Sequence, residues 1–90
     1  MGRIVRRLAS NAWCRLGKEA AVLHKDEGLY YRFNETALAI WETLNEPQEY
    51  STVVASVCER FDIPEEQAKH DVSDFIDDLV KFKLAEWKEA

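Results

Sequence analysis

The fold is decided by the stretch Leu29-Tyr30-Tyr31-Arg32-Phe33-Asn34-Glu35-Thr36-Ala37-Leu38-Ala39-Ile40-Trp41. Its apolar residues alternate up to Phe33 and recur with helical spacing after Asn34. Asn34 is suited to cap the start of a helix. A helical stripe follows, made of Ala37, Ile40, Trp41 and Leu44. The stretch therefore predicts a strand that passes directly into a helix.

The two faces of this strand differ in character. Alternation places Leu29, Tyr31 and Phe33 on one face and Tyr30 and Arg32 on the other. We expect the first face to pack in the sheet. Tyr30 and Arg32 are the better candidates for contact with a partner, because they point away from that face.

Two further strands are predicted on the N-terminal side. The runs are Trp13–Leu16 and Ala20–His24, and Gly17-Lys18 supplies the turn between them. Gly28 ends the next turn, where a left-handed conformation favours glycine. The three runs form an antiparallel meander. The third run is expected at an edge of the sheet, with unpaired backbone N–H and C=O groups.

Two more helices are predicted on the C-terminal side. Ser51 is the expected cap of the second helix, whose apolar stripe is Val53, Val54, Val57, Cys58 and Phe61. Pro64 favours the start of a third helix that runs to about Phe82. The tail Leu84–Trp87 is expected to form a short strand or to pack loosely. Strands followed by helices indicate an α+β fold, with a three-stranded antiparallel sheet followed by a three-helix bundle.

Size and composition predict one domain over residues 1–90, with residues 1–11 as a loosely ordered basic arm. Apolar residues make up 47% of the chain and charged residues 32%, which is typical of globular proteins. Uncharged runs such as Leu8 to Cys14 are far shorter than the roughly 20 residues of a membrane span. No apolar stretch follows the basic N-terminus, so we expect no secretory signal, no membrane and a cytoplasmic location.

The net charge of −5 divides unevenly along the chain. Residues 1–18 contain five basic residues and no acid, whereas residues 19–90 contain seven basic and seventeen acidic residues. A duplex-binding domain normally carries lysine and arginine on its recognition helix. Here the third helix is acidic, so nucleic acid is disfavoured as a partner.

Residues suited to catalysis or metal binding are few and scattered. His24 is expected to face outward on its strand, and His70 lies on the polar face of the third helix. Cys14 and Cys58 have no CxxC spacing and are expected to be free buried thiols. We therefore predict no metal site, no cofactor and no catalytic residue, and expect a protein that is not an enzyme.

The third helix carries an unusual row of like charges. Asp71, Asp74 and Asp78 lie on one flank, beside the apolar edge formed by Phe75 and Phe82. Carboxylates three and four residues apart repel each other and do not stabilise the helix. One interpretation is a solvated helix face. The other is that the row borders an apolar groove and contacts basic residues of a bound peptide.

The sequence resembles the PqqD family, whose members are small domains called RiPP recognition elements. The resemblance covers roughly residues 12–86. It is carried by the Ala20–Leu23 run, the Gly28–Asn34 strand, the Thr36–Trp41 helix with Leu44, the stretch Val53 to Phe61, and the Asp71–Leu79 helix ending near Leu84. Where many members have a glycine after the first helix, this chain has Asn45-Glu46-Pro47.

The resemblance implies a winged-helix-like fold and a function. It implies that the leader of a ribosomally made precursor peptide adds as a further strand beside the third strand, against the third helix. The expected peptide-binding residues are Leu29, Tyr30, Tyr31, Arg32, Phe33, Asp71, Asp74, Phe75 and Asp78. The implied partners are the precursor peptide and a radical SAM enzyme, a leader peptidase or a cyclase of the same pathway.

Three alternatives remain open at the level of sequence. The strongest is a winged-helix DNA-binding or transcription-associated module, because its fold class overlaps. A second is an assembly factor whose exposed strand pairs with another protein. The third is a cysteine-dependent enzyme using Cys14 with a distant histidine.

Overall fold

A computed structural model describes residues 3–9 and 11–89 of the chain. The described residues form six strands and three helices. The strands are β1 (Arg3–Arg7), β2 (Asn11–Leu16), β3 (Glu19–His24), β4 (Leu29–Phe33), β5 (Gln48–Glu49) and β6 (Ala85–Glu89). The helices are α1 (Glu35–Thr43), α2 (Tyr50–Phe61) and α3 (Glu65–Lys81). The predicted α+β class and the order of meander and helices are confirmed.

Strands β2, β3 and β4 form the predicted antiparallel meander, in the order β2-β3-β4. Leu16 pairs with Glu19 across the two-residue turn Gly17-Lys18, and Gly17 has φ +65°. Gly28 also takes the left-handed conformation, with φ +68°, and its N–H donates to the carbonyl of His24. The last strand, β4, lies at an edge of the sheet as predicted.

A second antiparallel sheet, in the order β5-β1-β6, was not predicted. The expectation of a loosely ordered arm over residues 1–11 is wrong for Arg3–Arg7, because this segment pairs along its length with Ala85–Glu89. Residues 1, 2 and 10 of the expected arm lie outside the described residues. Val5 is fully buried at its centre. The sequence of β1 conceals the strand, because Val5 stands among arginines whose long stems also pack on apolar surface.

The arginines of β1 attach it to the rest of the molecule through aromatic rings. The Arg3 guanidinium lies 3.6 Å from the centroid of the Trp87 ring. Arg7 lies 4.2 Å from the Trp41 ring centroid, and its guanidinium donates to the Trp41 carbonyl. Burial lowers the pKa of Arg7, an effect that nearby Glu42 partly opposes. These contacts connect the second sheet to α1 and to the core.

The core lies between the inner face of the meander and the helices. Its largest fully buried side chains come from α1, α3 and the segment before β6, and include Trp41, Leu38, Ile40, Leu44, Ile76, Leu79 and Leu84. Asn34 caps α1 as predicted, because its side chain accepts the Ala37 N–H at 2.9 Å. Ser51 is not the cap of α2, because the helix begins at Tyr50 and its N-cap residue is Glu49. None of the helices in the described residues is long and apolar enough to cross a membrane.

Two predictions about side-chain direction are wrong. His24 is 3% exposed, because it shares the inward parity of Ala20 and Val22, and its Nδ1 accepts the Glu27 N–H. Cys14 is exposed, because its neighbour Trp13 takes the inward position on β2. Cys58 is half-buried against the core. Both errors come from assigning the wrong parity to a strand with apolar residues on both faces.

Candidate functional site

The edge strand β4 is the first component of the candidate site, and its backbone direction follows from the turn before β3. A two-residue hairpin turn joins residues that exchange both of their backbone hydrogen bonds. Leu16 and Glu19 are such a pair, so the backbone groups of Glu19 face β2. Successive residues of a strand direct these groups to opposite sides, so those of Ala20, Val22 and His24 face β4. The bond from Gly28 N to His24 O agrees with this assignment.

The outward groups of β4 can therefore be assigned to particular residues. Leu29, Tyr31 and Phe33 pair with the β3 residues that face them, so their N–H and C=O groups are used within the sheet. Tyr30 and Arg32 direct theirs away from the sheet. With one N–H and one C=O each, these two residues offer four groups. Within residues 3–9 and 11–89, no strand pairs with β4 on that side.

The inner side chains of β4 pack against α3 through two aromatic pairs. Tyr31 stacks on Phe82 with ring centroids 4.5 Å apart. Phe33 meets Phe75 edge to face at 5.0 Å. Phe33 is buried, whereas Tyr31, Phe75 and Phe82 are half-buried. The four rings form an apolar floor between the strand and the helix.

Two cavities lie beside these rings and share four lining residues. One has a volume of about 340 Å³ and is lined by Asn34, Thr36, Ala37, Ile40, Asp71, Asp74, Phe75 and Asp78. The other, of about 270 Å³, is lined by Tyr31, Arg32, Phe33, Asn34, Ala37, Phe75, Asp78, Leu79 and Phe82. Because they share Asn34, Ala37, Phe75 and Asp78, they form one groove, which we call the β4–α3 groove.

One wall of the β4–α3 groove is acidic. Asp71, Asp74 and Asp78 line it together, which confirms that the helix places the three carboxylates on one side. Asp74 lies 3.2 Å from His70. Within the described residues, no cation lies within 4.0 Å of Asp71 or Asp78. The wall therefore presents carboxylates, which suit a ligand that carries positive charge.

The outer face of β4 is exposed. The Tyr30 side chain points to solvent and the residue is 73% exposed. Arg32 lies beside it, and its only described ionic partner is Glu19, at 2.7 Å. Leu29, at the start of the strand, is 50% exposed although it shares the parity of the buried Phe33. The strand thus offers free backbone groups at its edge, and the side chains on its inner and outer faces differ in character.

The structure brings together most of the residues singled out from the sequence. Tyr31, Arg32, Phe33 and Phe75 line the groove with the three aspartates. Leu29 and Tyr30 do not line it and contribute to the edge alone. Sequence reasoning missed the end wall, which is formed by α1 residues Thr36, Ala37 and Ile40. The short connection of β4 to α1 through Asn34 was the signal, because it brings the first turn of α1 to the end of the strand.

Catalytic and metal-binding groups are not gathered in this groove. Within the described part of the chain, no three His, Cys, Asp or Glu side chains are arranged to hold a metal ion. His24 and Cys14, the His and Cys residues of the meander, do not line the groove. The site offers backbone groups, aromatic surface and carboxylates, which are the components of peptide recognition.

Comparisons with known proteins agree with this geometry. Residues 19–84 match the family described as Coenzyme PQQ synthesis protein D (PqqD). No curated protein matches the chain. Two solved structures share its fold. TbiB1 in complex with the TbiA(beta) leader peptide is 20% identical, with a TM-score of 0.85 over 94% of this chain and 99% of the other. Lasso peptide synthetase B1 complexed with the leader peptide is 17% identical, with a TM-score of 0.79 over 91% and 96%.

Proposed function

Since the chain belongs to the PqqD family, we propose that it binds the leader segment of a ribosomally made precursor peptide by strand addition to β4. One observation carries this function: the free edge of Tyr30 and Arg32 runs beside the apolar, acid-walled β4–α3 groove. Two proteins of the same fold, TbiB1 and lasso peptide synthetase B1, have been solved as complexes with leader peptides. A leader strand would contact the edge with its backbone and the groove with alternate side chains.

The energetics require side-chain anchors as well as backbone pairing. Four hydrogen bonds to Tyr30 and Arg32, at about 0.5–1.5 kcal/mol net each, contribute about 2–6 kcal/mol. Ordering a flexible leader costs a comparable amount, about 2–5 kcal/mol. An aliphatic or aromatic side chain buried against Phe75 contributes about 1.5–3 kcal/mol. The leader is therefore expected to place at least one apolar side chain in the groove.

The protein's part in the pathway is proposed to be non-catalytic. It would hold the leader while a modifying enzyme acts on the remainder of the precursor. A leader held close to the enzyme raises the local concentration of the substrate segment, to roughly millimolar for short flexible connections. The enzyme is proposed to be a radical SAM enzyme, a leader peptidase or a cyclase of the same pathway. The site of action is proposed to be the cytoplasm.

The direct test is titration of the protein with the N-terminal half of a precursor encoded beside its gene. Calorimetry should show saturable one-to-one binding with a negative heat-capacity change, because apolar surface is buried. A leader of the same composition in scrambled order is the control and should bind much more weakly. Equal binding of the two peptides, or no binding of either, contradicts the proposal.

The DNA-binding alternative is not supported by the surface of α3. Asp71, Asp74 and Asp78 line its exposed groove side, whereas binding to a duplex depends on contacts from lysine and arginine to phosphates. A mobility shift with random duplex at low salt separates the two functions. We expect no shift at protein concentrations that saturate the leader.

The acidic wall makes a prediction about the charge of the leader. Replacing Asp71→Lys and Asp78→Lys together should weaken binding of a leader that carries Lys or Arg by roughly 10-fold, because attraction becomes repulsion at two sites. A leader with neutral residues at those positions should be nearly unaffected. Both affinities are measured by calorimetry at low and at high salt.

A matched control keeps the change in net charge and moves it away from the groove. Glu66→Lys with Asp77→Lys alters two exposed carboxylates of the same helix that do not line either cavity. This variant should bind the basic leader within about two-fold of the unmodified protein, because neither position lines the groove and an exposed charge that does not contact the ligand contributes little to affinity. Equal losses in both variants would mean that the wall does not select charge.

A further inference from the structure

A strand added to β4 would also lie beside the side chains of Tyr30 and Arg32, which form the outer face of β4. Side chains of a strand alternate between the two faces of a sheet. The residue opposite Tyr31 therefore points into the β4–α3 groove, and the residues opposite Tyr30 and Arg32 lie on the outer face. Tyr30 and Arg32 direct their backbone groups outward, so each forms a hydrogen-bonded pair with its opposite residue. In such pairs the Cβ atoms are about 5.5 Å apart, which is close enough for side-chain selectivity.

The chemistry of the outer face is opposite in sign to that of the groove. Arg32 carries a guanidinium whose side chain is 66% exposed. Its contact with Glu19 is an exposed ion pair, and such pairs are weak enough to be shared with a second carboxylate. Tyr30, two residues earlier, offers an exposed ring that favours aromatic and β-branched cross-strand neighbours. Asp78, on the groove side, offers a carboxylate.

We propose that the leader is selected on both faces of the added strand, with Arg32 and Tyr30 as specificity-determining residues on the outer face. This inference rests on the proposed function. The residue opposite Arg32 is acidic, and the residue opposite Tyr30 is aromatic or β-branched. Between them lies an apolar residue, opposite Tyr31, that enters the part of the groove lined by Phe75 and Phe82. A further groove-facing position accepts Lys or Arg toward Asp78, so an acid is preferred on the outer face and a base on the groove face.

The direction of the added strand fixes the order of this pattern. Every pairing within the meander is antiparallel, and antiparallel pairs outnumber parallel ones two- to three-fold in proteins. An antiparallel leader meets Arg32 before Tyr30. The N-to-C order is therefore acidic residue, apolar residue, then aromatic or β-branched residue.

A displayed library of random 12-residue peptides tests the pattern without a known precursor. Selection on the unmodified protein should enrich the three-residue pattern in the stated order. Enrichment of apolar and basic residues alone, with no acid at the outer position, overturns the inference but keeps the proposed function. An absence of any enriched sequence counts against the proposed function as well.

A charge exchange provides the matched variant. The double substitution Glu19→Arg with Arg32→Glu keeps an ion pair between the two positions and reverses the charge that faces the leader. The same library should then enrich Lys or Arg at the position that previously selected an acid. For two synthetic peptides that differ only as Glu or Lys at that position, the preference should be about 1.5- to 5-fold for Glu with the unmodified protein and should reverse with the variant. An unchanged preference in a variant of normal circular dichroism and thermal stability overturns the assignment of Arg32.

Discussion

Replacing Arg32→Pro is expected to weaken leader binding by at least about 30-fold while leaving the protein folded. The substitution removes an N–H that points away from β3, and the proline ring occupies the space that an added strand requires. Proline is tolerated on edge strands where the N–H is not used in the sheet. Tyr31, which precedes it, already lies in extended strand conformation, the one that a following proline favours. Calorimetry with the leader measures the affinity, and thermal unfolding measures the stability.

Two controls separate the backbone effect from other effects of the substitution. Arg32→Ala removes the same side chain and keeps the N–H, so it should cost no more than about five-fold in affinity. Tyr31→Pro removes an N–H that faces Val22 within the sheet, so it should destabilise the hairpin by about 3 kcal/mol or more. Retained affinity in folded Arg32→Pro protein would remove strand addition as the mechanism. Equal destabilisation by both prolines would show that the backbone direction of β4 is assigned wrongly.

The edge strand could be predicted from sequence because all of its determinants are local. Alternation in residues 29–33, glycine at position 28 and the Asn34 cap lie within a few residues of one another. The three helices were equally accessible, since each has an apolar stripe of helical period. The cap of α2 was predicted wrongly, because Glu49 and not Ser51 is its N-cap residue.

The second sheet could not be predicted because its pairing is not local. Strand β1 is held by residues 85–89, far away along the chain, and its two apolar residues, Ile4 and Val5, stand between arginines. Strand β5 has only two residues, too few to show a period. The attraction between the Arg3 guanidinium and the Trp87 ring depends on tertiary contact that spacing along the chain does not reveal.

The acidic wall of the groove could be predicted from local sequence, whereas the end wall could not. Asp71, Asp74 and Asp78 occur at helical spacing, so their common side follows from the geometry of one helix. Ala37 was identified as part of the apolar stripe of α1, but its position at the junction of both cavities depends on how α1 packs against α3. A small side chain such as that of Ala37 lines a cavity only if the surrounding residues leave the space unfilled, and the sequence does not show how those residues are placed.

Filling the groove at Ala37 is expected to weaken leader binding strongly. Replacing Ala37→Phe should place a ring in the part of the β4–α3 groove that both cavities share and exclude the apolar anchor of the leader. Loss of an anchor that contributes about 1.5–3 kcal/mol corresponds to about 10- to 100-fold weaker binding. The Ala37 N–H still donates to Asn34, so the cap of α1 remains. Calorimetry measures the affinity, and thermal unfolding detects overpacking, which costs typically 1–3 kcal/mol.

A control substitution and a shortened peptide identify the cause of this loss. Glu35→Phe adds the same ring in the same helical turn, at an exposed position that lines neither cavity, and should leave binding within about two-fold. A leader whose anchor is shortened to alanine should bind the unmodified protein weakly and bind Ala37→Phe about equally well, because the side chain that clashes with the ring is gone. If Ala37→Phe weakens both leaders by the same factor, the ring acts by distorting β4 or α1, and the groove does not hold the anchor.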